Sequence, residues 1–178
     1  MDRITVSGVT LEIERGDIAA QDDIQAVVNA ANAQLKTGGG VAGAIHRAAG
    51  PGLTEETRPL APISPGEAVI TGGHNLPNEY VIHCLGPVYG RDKPEDELLA
   101  NCYKNALKRA EEEDVESIAF PAISTGAFGY PTEAAARVAL STIQEEAEHL
   151  ESVNTIRFVL FGEDDYNIHQ KVMEEIFE

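Results

Sequence analysis

The sequence predicts an α/β fold: three α/β/α layers around a largely parallel central sheet. Three observations carry that expectation. Apolar periodicity switches repeatedly between two and about 3.6 residues, so strands and helices alternate along most of the chain. Some strand segments are continuously apolar, the pattern of strands buried on both faces of a sheet. The 178 residues are 43% hydrophobic and 24% charged, which suits one packed domain and argues against disorder.

The elements follow in order. Ile4 and Val6, then Val9, Leu11 and Ile13, alternate with polar residues around Gly8 and read as one or two opening strands. Ala26-Val27-Val28-Asn29 is a short buried strand. From Gly40 the period becomes helical, with Val41, Ala44, Ile45 and Ala48 on one face, until Gly50-Pro51 stops it. Residues 51 to 66, with four prolines, read as the longest irregular stretch, a surface connection. Two more strands cover 67–71 and 80–84.

Pro94 opens the clearest helix, with a stripe of Leu98, Leu99, Cys102, Tyr103, Ala106, Leu107 and Ala110. Glu95, Asp96 and Glu97 sit in its first turn, where the helix dipole favours acids. A strand at 117–120, a helix from Pro131 to about Leu150, a strand at 155–161 and a closing helix from about Asp165 complete the chain. There is no repeat, linker or charge block, so residues 1–178 are expected to form a single domain.

Thirteen basic against 30 acidic residues leave a net charge of −17. Such a surface repels long polyanions and anionic membranes, which argues against nucleic acid as a partner. The charge, with Lys scarce, fits a halophile, although the excess of Glu over Asp fits it less well. No apolar run is long enough to span a membrane and no signal peptide opens the chain. Cys84 and Cys102 read as buried thiols in a reducing compartment, so a cytoplasmic location is expected.

In open α/β sheets ligands bind beyond the carboxyl ends of the strands. There, the strand at 26–29 is followed by Asn32 and by Gly38-Gly39-Gly40-Val41, which opens a helix. The strand at 117–120 is followed by Ser124-Thr125-Gly126-Ala127-Phe128, again before a helix. Glycine-rich loops at helix N-termini are anion cradles, because free amides and the helix dipole converge there. Two of them suggest a diphosphate, and Asn32 and Ser124 offer neutral hydrogen bonds suited to a sugar.

Other motifs fail. Gly38 to Gly43 fits G-x-G-x-x-G in letters, but nine residues, Asn29 to Thr37, separate it from Val28 of the strand, so a dinucleotide fold is not indicated. Neither a P-loop nor a serine elbow is present. The five histidines have no metal-ligand spacing, and neither a metal nor a cofactor is expected. His46 and His83 read first as packed structural residues. Asp17 could cap a short helical turn or accept from an exocyclic amine. Phe128 and Tyr166 could cover a base or sugar, or cap the edge of the core.

Asn29-Ala-Ala-Asn32, the block from Gly38 to Pro51 with Ile45-His46-Arg-Ala-Ala-Gly50, and the block from Ile123 to Pro131 resemble the macrodomain family. The resemblance extends from Gly16 to Phe161 and is strongest to the bacterial and MacroD-like branch, which hydrolyses ADP-ribosyl esters on proteins and O-acetyl-ADP-ribose. It implies a mixed, largely parallel sheet and an ADP-ribose ligand. By position, Asp17 would take the adenine amine, with the Ile18 backbone beside it and Tyr166 near the ring. Gly39, Gly40 and Val41, with Ser124, Thr125, Gly126, Ala127 and Phe128, would wrap the diphosphate. Asn32 would hold the distal ribose, and Phe128 would close over it.

One departure matters. The hydrolytic branch typically carries Asp after the valine, and here Ala42 stands at that catalytic position beside Asn32. A methyl group is neither a base nor a hydrogen-bonding group. The resemblance therefore implies an ADP-ribosyl hydrolase in which substrate phosphate activates water, or else a non-catalytic ADP-ribose reader. The expected partners are ADP-ribose or an ADP-ribosylated protein, bound by a monomer. The pocket itself should be an electropositive pit in an acidic surface.

Overall fold

The computed structural model describes residues 2–177. Seven strands form one sheet: β1 (Arg3–Val6), β2 (Val9–Arg15), β3 (Ala26–Ala30), β4 (Ala68–Gly72), β5 (Tyr80–Cys84), β6 (Ser117–Phe120) and β7 (Thr155–Leu160). Their spatial order is β1-β2-β7-β6-β3-β5-β4. The five strands from β2 to β5 run parallel, and the edge strands β1 and β4 pair antiparallel. The mixed, largely parallel sheet is as the sequence predicts.

Both edges are hairpin partners, for local reasons. Ser7 and Gly8, between β1 and β2, have φ of 49° and 82°. Positive φ at both central residues gives a two-residue turn whose twist matches its strands. Gly73 closes the turn after β4. A Cβ there would lie 1.8 Å from the Asn78 carbonyl oxygen, so only glycine fits.

Five helices cover the sheet: α1 (Gly40–Ala49), α2 (Pro51–Thr57), α3 (Glu95–Glu112), α4 (Thr132–Ala147) and α5 (Glu163–Phe177). Strand residues alternate between two cores. Val28, Ile82, Phe120 and Phe158 face α3, α4 and α5, with the Tyr103 ring of α3 tilted against Phe120 at a centroid distance of 5.0 Å. Val27, Val81 and Ala119 face Ile45, Ala49 and Leu53 of α1 and α2. Cys84 and Cys102 are free and buried in the first core, and burial raises both thiols, Cys102 to about 12.

The expectation of an irregular stretch from Pro51 to Gly66 needs correction. Its first seven residues are α2, because Pro51 sits at the helix start, where its missing N–H costs nothing. Gly50, with φ 86°, lets the chain turn from α1 into α2. Leu53 and Thr57 anchor the inner face, and the Thr57 hydroxyl donates to the Leu35 carbonyl at 2.9 Å. Only the part with Pro59, Pro62 and Pro65 lacks a regular helix, apart from one short 3-10 turn.

Two boundaries also shift. The last strand ends at Leu160, leaving Phe161 outside it, and α5 starts at Glu163. No helix among the described residues is long and apolar enough to cross a membrane.

Candidate functional site

The carboxyl ends of β2, β7, β6, β3 and β5 share one edge of the sheet, with Ala30 level with Cys84 and Arg15 level with Leu160. A cleft of about 360 Å3 opens there, between the segment after β3 and the segment after β6. One wall is Asn32, Gly38, Gly39, Gly40, Val41 and Ala42; the other runs from Ala122 to Ser124 and from Gly126 to Phe128. Ala30, Ala31 and Gly86 form its floor.

The first wall is the start of α1. Its first helical hydrogen bond runs from the Gly43 N–H to the Gly39 carbonyl, so the amides of Gly40, Val41 and Ala42 precede the ladder. Gly40 has φ of 57°, which favours glycine, and a Cβ on Gly39 or Gly40 would meet nothing within 4 Å. The backbone is bare to the cleft. Free amides at a positive helix end suit a phosphate.

The second wall is a tight loop. Ser124, at φ 70°, is buried, and its hydroxyl donates to the Pro87 carbonyl at 2.8 Å. The Ser124 and Gly126 carbonyls accept from the Tyr130 and Gly129 amides, which fold the loop back on itself. The Thr125 hydroxyl donates to the Ala122 carbonyl, so this side chain serves the loop and does not line the cleft. Phe128 is half-buried on a small cluster of Ala31, Leu35, Ile63 and Leu85 and closes one end of the cleft.

Asn32 has two tasks. Its Nδ2 donates to the Lys36 carbonyl at 2.8 Å and its Oδ1 accepts the Lys36 N–H at 3.0 Å, which ties the loop before the glycines into a ring. The amide still has a second proton and a second lone pair for a ligand. Ala42, almost fully buried, contributes only a methyl group.

One turn beyond Ala42 on α1 lies His46, buried, with Nδ1 3.2 Å from the Thr54 hydroxyl and Nε2 without a partner. Burial lowers its pKa. His83 bridges the Thr71 hydroxyl at 3.0 Å and Asn29 at 3.1 Å. Burial, then the neighbouring His46, pushes its pKa down to about 3. Both imidazoles are neutral at pH 7, and both are packed within the fold as the residue pattern indicates.

Asp17 and Ile18 follow β2 along the same edge. Asp17 is exposed, and its Oδ1 accepts the Ala19 N–H at 2.9 Å as the cap of a 3-10 turn. One carboxylate oxygen therefore caps, and the other remains open to an amine. Ile18 packs its side chain into the α1 core.

Tyr166, like Asp17 and Ile18, is not among the residues lining the cleft. It lies in the first turn of α5 and lines a separate hollow of about 540 Å3 with Ile13, Arg15 and Arg157. Arg157 is held there by two hydrogen bonds of 2.8 Å to Asp23, which with nearby Glu12 and Glu14 raise its pKa.

Two residues escape the sequence reading. Phe161, between β7 and α5, is 87% exposed. Its carbonyl accepts from Arg15, and the preceding Leu160 carbonyl accepts from Gly16, so its main chain runs beside the start of the Asp17 turn. As the last residue of an expected strand, it carries no loop signal of its own. Gly86 lies under the Ser124 loop, and its only local signal is the Gly86-Pro87 pair that follows β5.

Known proteins carry the same arrangement. Residues 28–139 match the macro domain family. A macro domain-containing protein of Caldanaerobacter subterraneus is 46% identical, over 93% of this chain and 97% of its own length. The human ADP-ribose glycohydrolase MACROD2 is 48% identical over 94% of this chain, which spans only 40% of that protein. An Oceanobacillus iheyensis macrodomain with ADP superposes with a TM-score of 0.92 at 41% identity, covering 98% of this chain and 95% of that one. A Trypanosoma brucei macrodomain in complex with ADP-ribose gives 0.82 at 38%, covering 90% and 68%. Sequence, sheet order and cleft together make this chain a member of the macro domain family.

Proposed function

We propose that this protein binds ADP-ribose and hydrolyses ADP-ribosyl esters on proteins, or O-acetyl-ADP-ribose, at the distal ribose. The observation that carries the reading is the pair of bare main-chain walls, Gly39 to Ala42 and Ser124 to Phe128, facing across one cleft. The diphosphate would lie between them, held by amides and the α1 dipole. Asn32 would orient the distal ribose, and Phe128 would cover it. At the other end, the free oxygen of Asp17 would accept from the adenine amine. The exposed ring of Phe161 offers a stacking face there, beside the Tyr166 that the family resemblance suggests.

With a protein ester at the anomeric carbon, water adds its hydroxyl to that carbon, the bond to the acyl oxygen breaks, and the carboxylate leaves. With O-acetyl-ADP-ribose, water adds to the acetyl carbonyl carbon, the bond to the ribose oxygen breaks, acetate leaves and the ribose oxygen ends as a hydroxyl. The water proton passes to a phosphate oxygen of the substrate, since Ala42 supplies no base. The macrodomain structures with ADP and ADP-ribose and the glycohydrolase name of MACROD2 support the ligand and the reaction class. Two buried free thiols fit the cytoplasm.

A reader without turnover is the second reading, and the Ala42 methyl favours it. Calorimetry with ADP-ribose and release of ADP-ribose from a glutamate-modified protein separate the two. The enzyme reading expects slow release that rises on Ala42→Asp. Binding with both forms inert leaves the reader, and no heat at millimolar ADP-ribose overturns both.

A further inference from the structure

A second hollow, of about 350 Å3, lies next to the cleft and is lined by Gln34, Lys36, Thr54, Thr57, Arg58 and Ala61. Two of its six residues are cations and none is an acid, in a chain with 30 acidic and 13 basic residues. Lys36 and Arg58 are exposed, and neither forms an ion pair among the described residues. Arg3, Arg91, Arg109, Arg137, Arg157 and Lys171 are each paired with a carboxylate, while Arg15, Arg47, Lys93, Lys104 and Lys108, like Lys36 and Arg58, form no ion pair among the described residues. This hollow joins two such cations in one lining that holds no acid.

The hollow is coupled to the cleft through the main chain. Asn32, on the cleft wall, is hydrogen-bonded through both side-chain polar atoms to the backbone of Lys36, whose side chain lines the hollow. From the other side, the Thr54 hydroxyl in the hollow meets His46, one turn along α1 from Ala42. The Asn32 loop thus forms the ridge between the two. A group attached to a distal ribose held at Asn32 would cross that ridge.

We infer that the Lys36–Arg58 hollow receives acidic side chains of the modified protein, beside the residue that carries ADP-ribose. This rests on the functional reading above and names its substrate class, ADP-ribosylated acidic segments. An acidic segment would be repelled by most of this surface. Two unpaired cations next to the ribose end give it one favourable place to lie, while Gln34 adds neutral hydrogen-bonding capacity.

The test uses two peptides carrying ADP-ribose through a hydrolysis-resistant oxime linkage. One has acidic residues on both sides of the modified position, and the other has glutamine there. Wild-type protein should bind the acidic peptide about five- to ten-fold more tightly, as two exposed ion pairs allow. Lys36→Gln with Arg58→Gln should reduce that preference to less than about two-fold and leave the Kd for free ADP-ribose unchanged. Asn32 bonds only the main chain of Lys36, which both variants keep, and Arg58→Gln alone should remove roughly half of the preference.

Equal binding of the two peptides by wild type, with ADP-ribose itself still bound, would overturn this inference alone. So would a double variant that loses free ADP-ribose as strongly as the acidic peptide. A preference for an ADP-ribose dimer over the monomer, without discrimination between the peptides, would assign the hollow to a phosphate chain instead. Failure of free ADP-ribose to bind would overturn the functional reading, and this inference with it.

Discussion

Gly86→Ala probes the link between the sheet and the second cleft wall. A Cβ at Gly86 would lie 2.1 Å from Ser124 Oγ and 2.6 Å from Ile123 Cγ2. Real contacts of this kind rarely fall below 3.0 Å, so Ser124 Oγ must retreat by about 3.0 − 2.1 = 0.9 Å. Rotation of Ser124 would break its 2.8 Å bond to the Pro87 carbonyl, and Ile123 is itself buried. Overpacking of this sort costs about 1–3 kcal/mol. In a chain of this size, that lowers Tm by about 2–12 °C. Because the displaced atoms belong to the loop that faces the diphosphate, the Kd for ADP-ribose should also rise by about ten-fold, or about 1.4 kcal/mol. Thermal melting and calorimetry on the same samples read both effects. A lower Tm with the Kd unchanged would show that the wall does not depend on Gly86, and no change in either would refute the packing argument.

Three further perturbations separate binding from stability. Phe161→Ala should weaken ADP-ribose by about ten-fold through lost stacking, while Tm moves by less than about 1 °C, because the ring is exposed; a ligand that still binds as tightly would remove Phe161 from the site. Glu111→Gln should destabilise the fold by about 2 kcal/mol at pH 7, since the carboxylate accepts from the Glu151, Ser152 and Val153 amides. Burial opposes ionisation of Glu111, but those amides and the Ser152 hydroxyl outweigh it and hold the pKa below 4.5. The advantage of wild type is therefore present above pH 4.5 and lost as pH falls through the folded-state value, so urea unfolding curves of the two proteins should converge in acid. Gly40→Ala should weaken ADP-ribose without a clash, because φ is 57° and the Cβ meets nothing; equal affinity in calorimetry would show that the amides tolerate another backbone shape.

The sheet and the two loops were legible because their signals are local. Val27 and Val28 are apolar on both sides, and Gly38-Gly39-Gly40 announces a helix start without side chains. What the sequence hid depends on distance in space. Pro51 looked like a breaker, yet at a helix start it is a former, and only the burial of Leu53 and Thr57 shows that a helix follows. Gly86-Pro87 marks a turn locally but not what the glycine makes room for, since those atoms lie 37 and 38 residues away at Ile123 and Ser124. Phe161 and Tyr166 look alike on paper as aromatics near a strand end. The register of β7 with β2 decides between them, leaving Phe161 beside the Asp17 turn and carrying Tyr166 into α5. Lys36 and Arg58 are 22 positions apart, and only the folding of α2 against the Asn32 loop brings them to one hollow.

Every residue lining the cleft is glycine, alanine, valine, isoleucine, asparagine, serine or phenylalanine. None of these side chains exchanges a proton with water between about pH 5 and pH 9. Ligand capture there should release or take up no protons, so the heat of binding should not depend on the ionisation enthalpy of the buffer. For a hydrolase the consequence goes further. Any slope of rate against pH over that range would report the substrate's own groups, the ester and the phosphate that takes the water proton, with the protein acting as a fixed electrostatic mould.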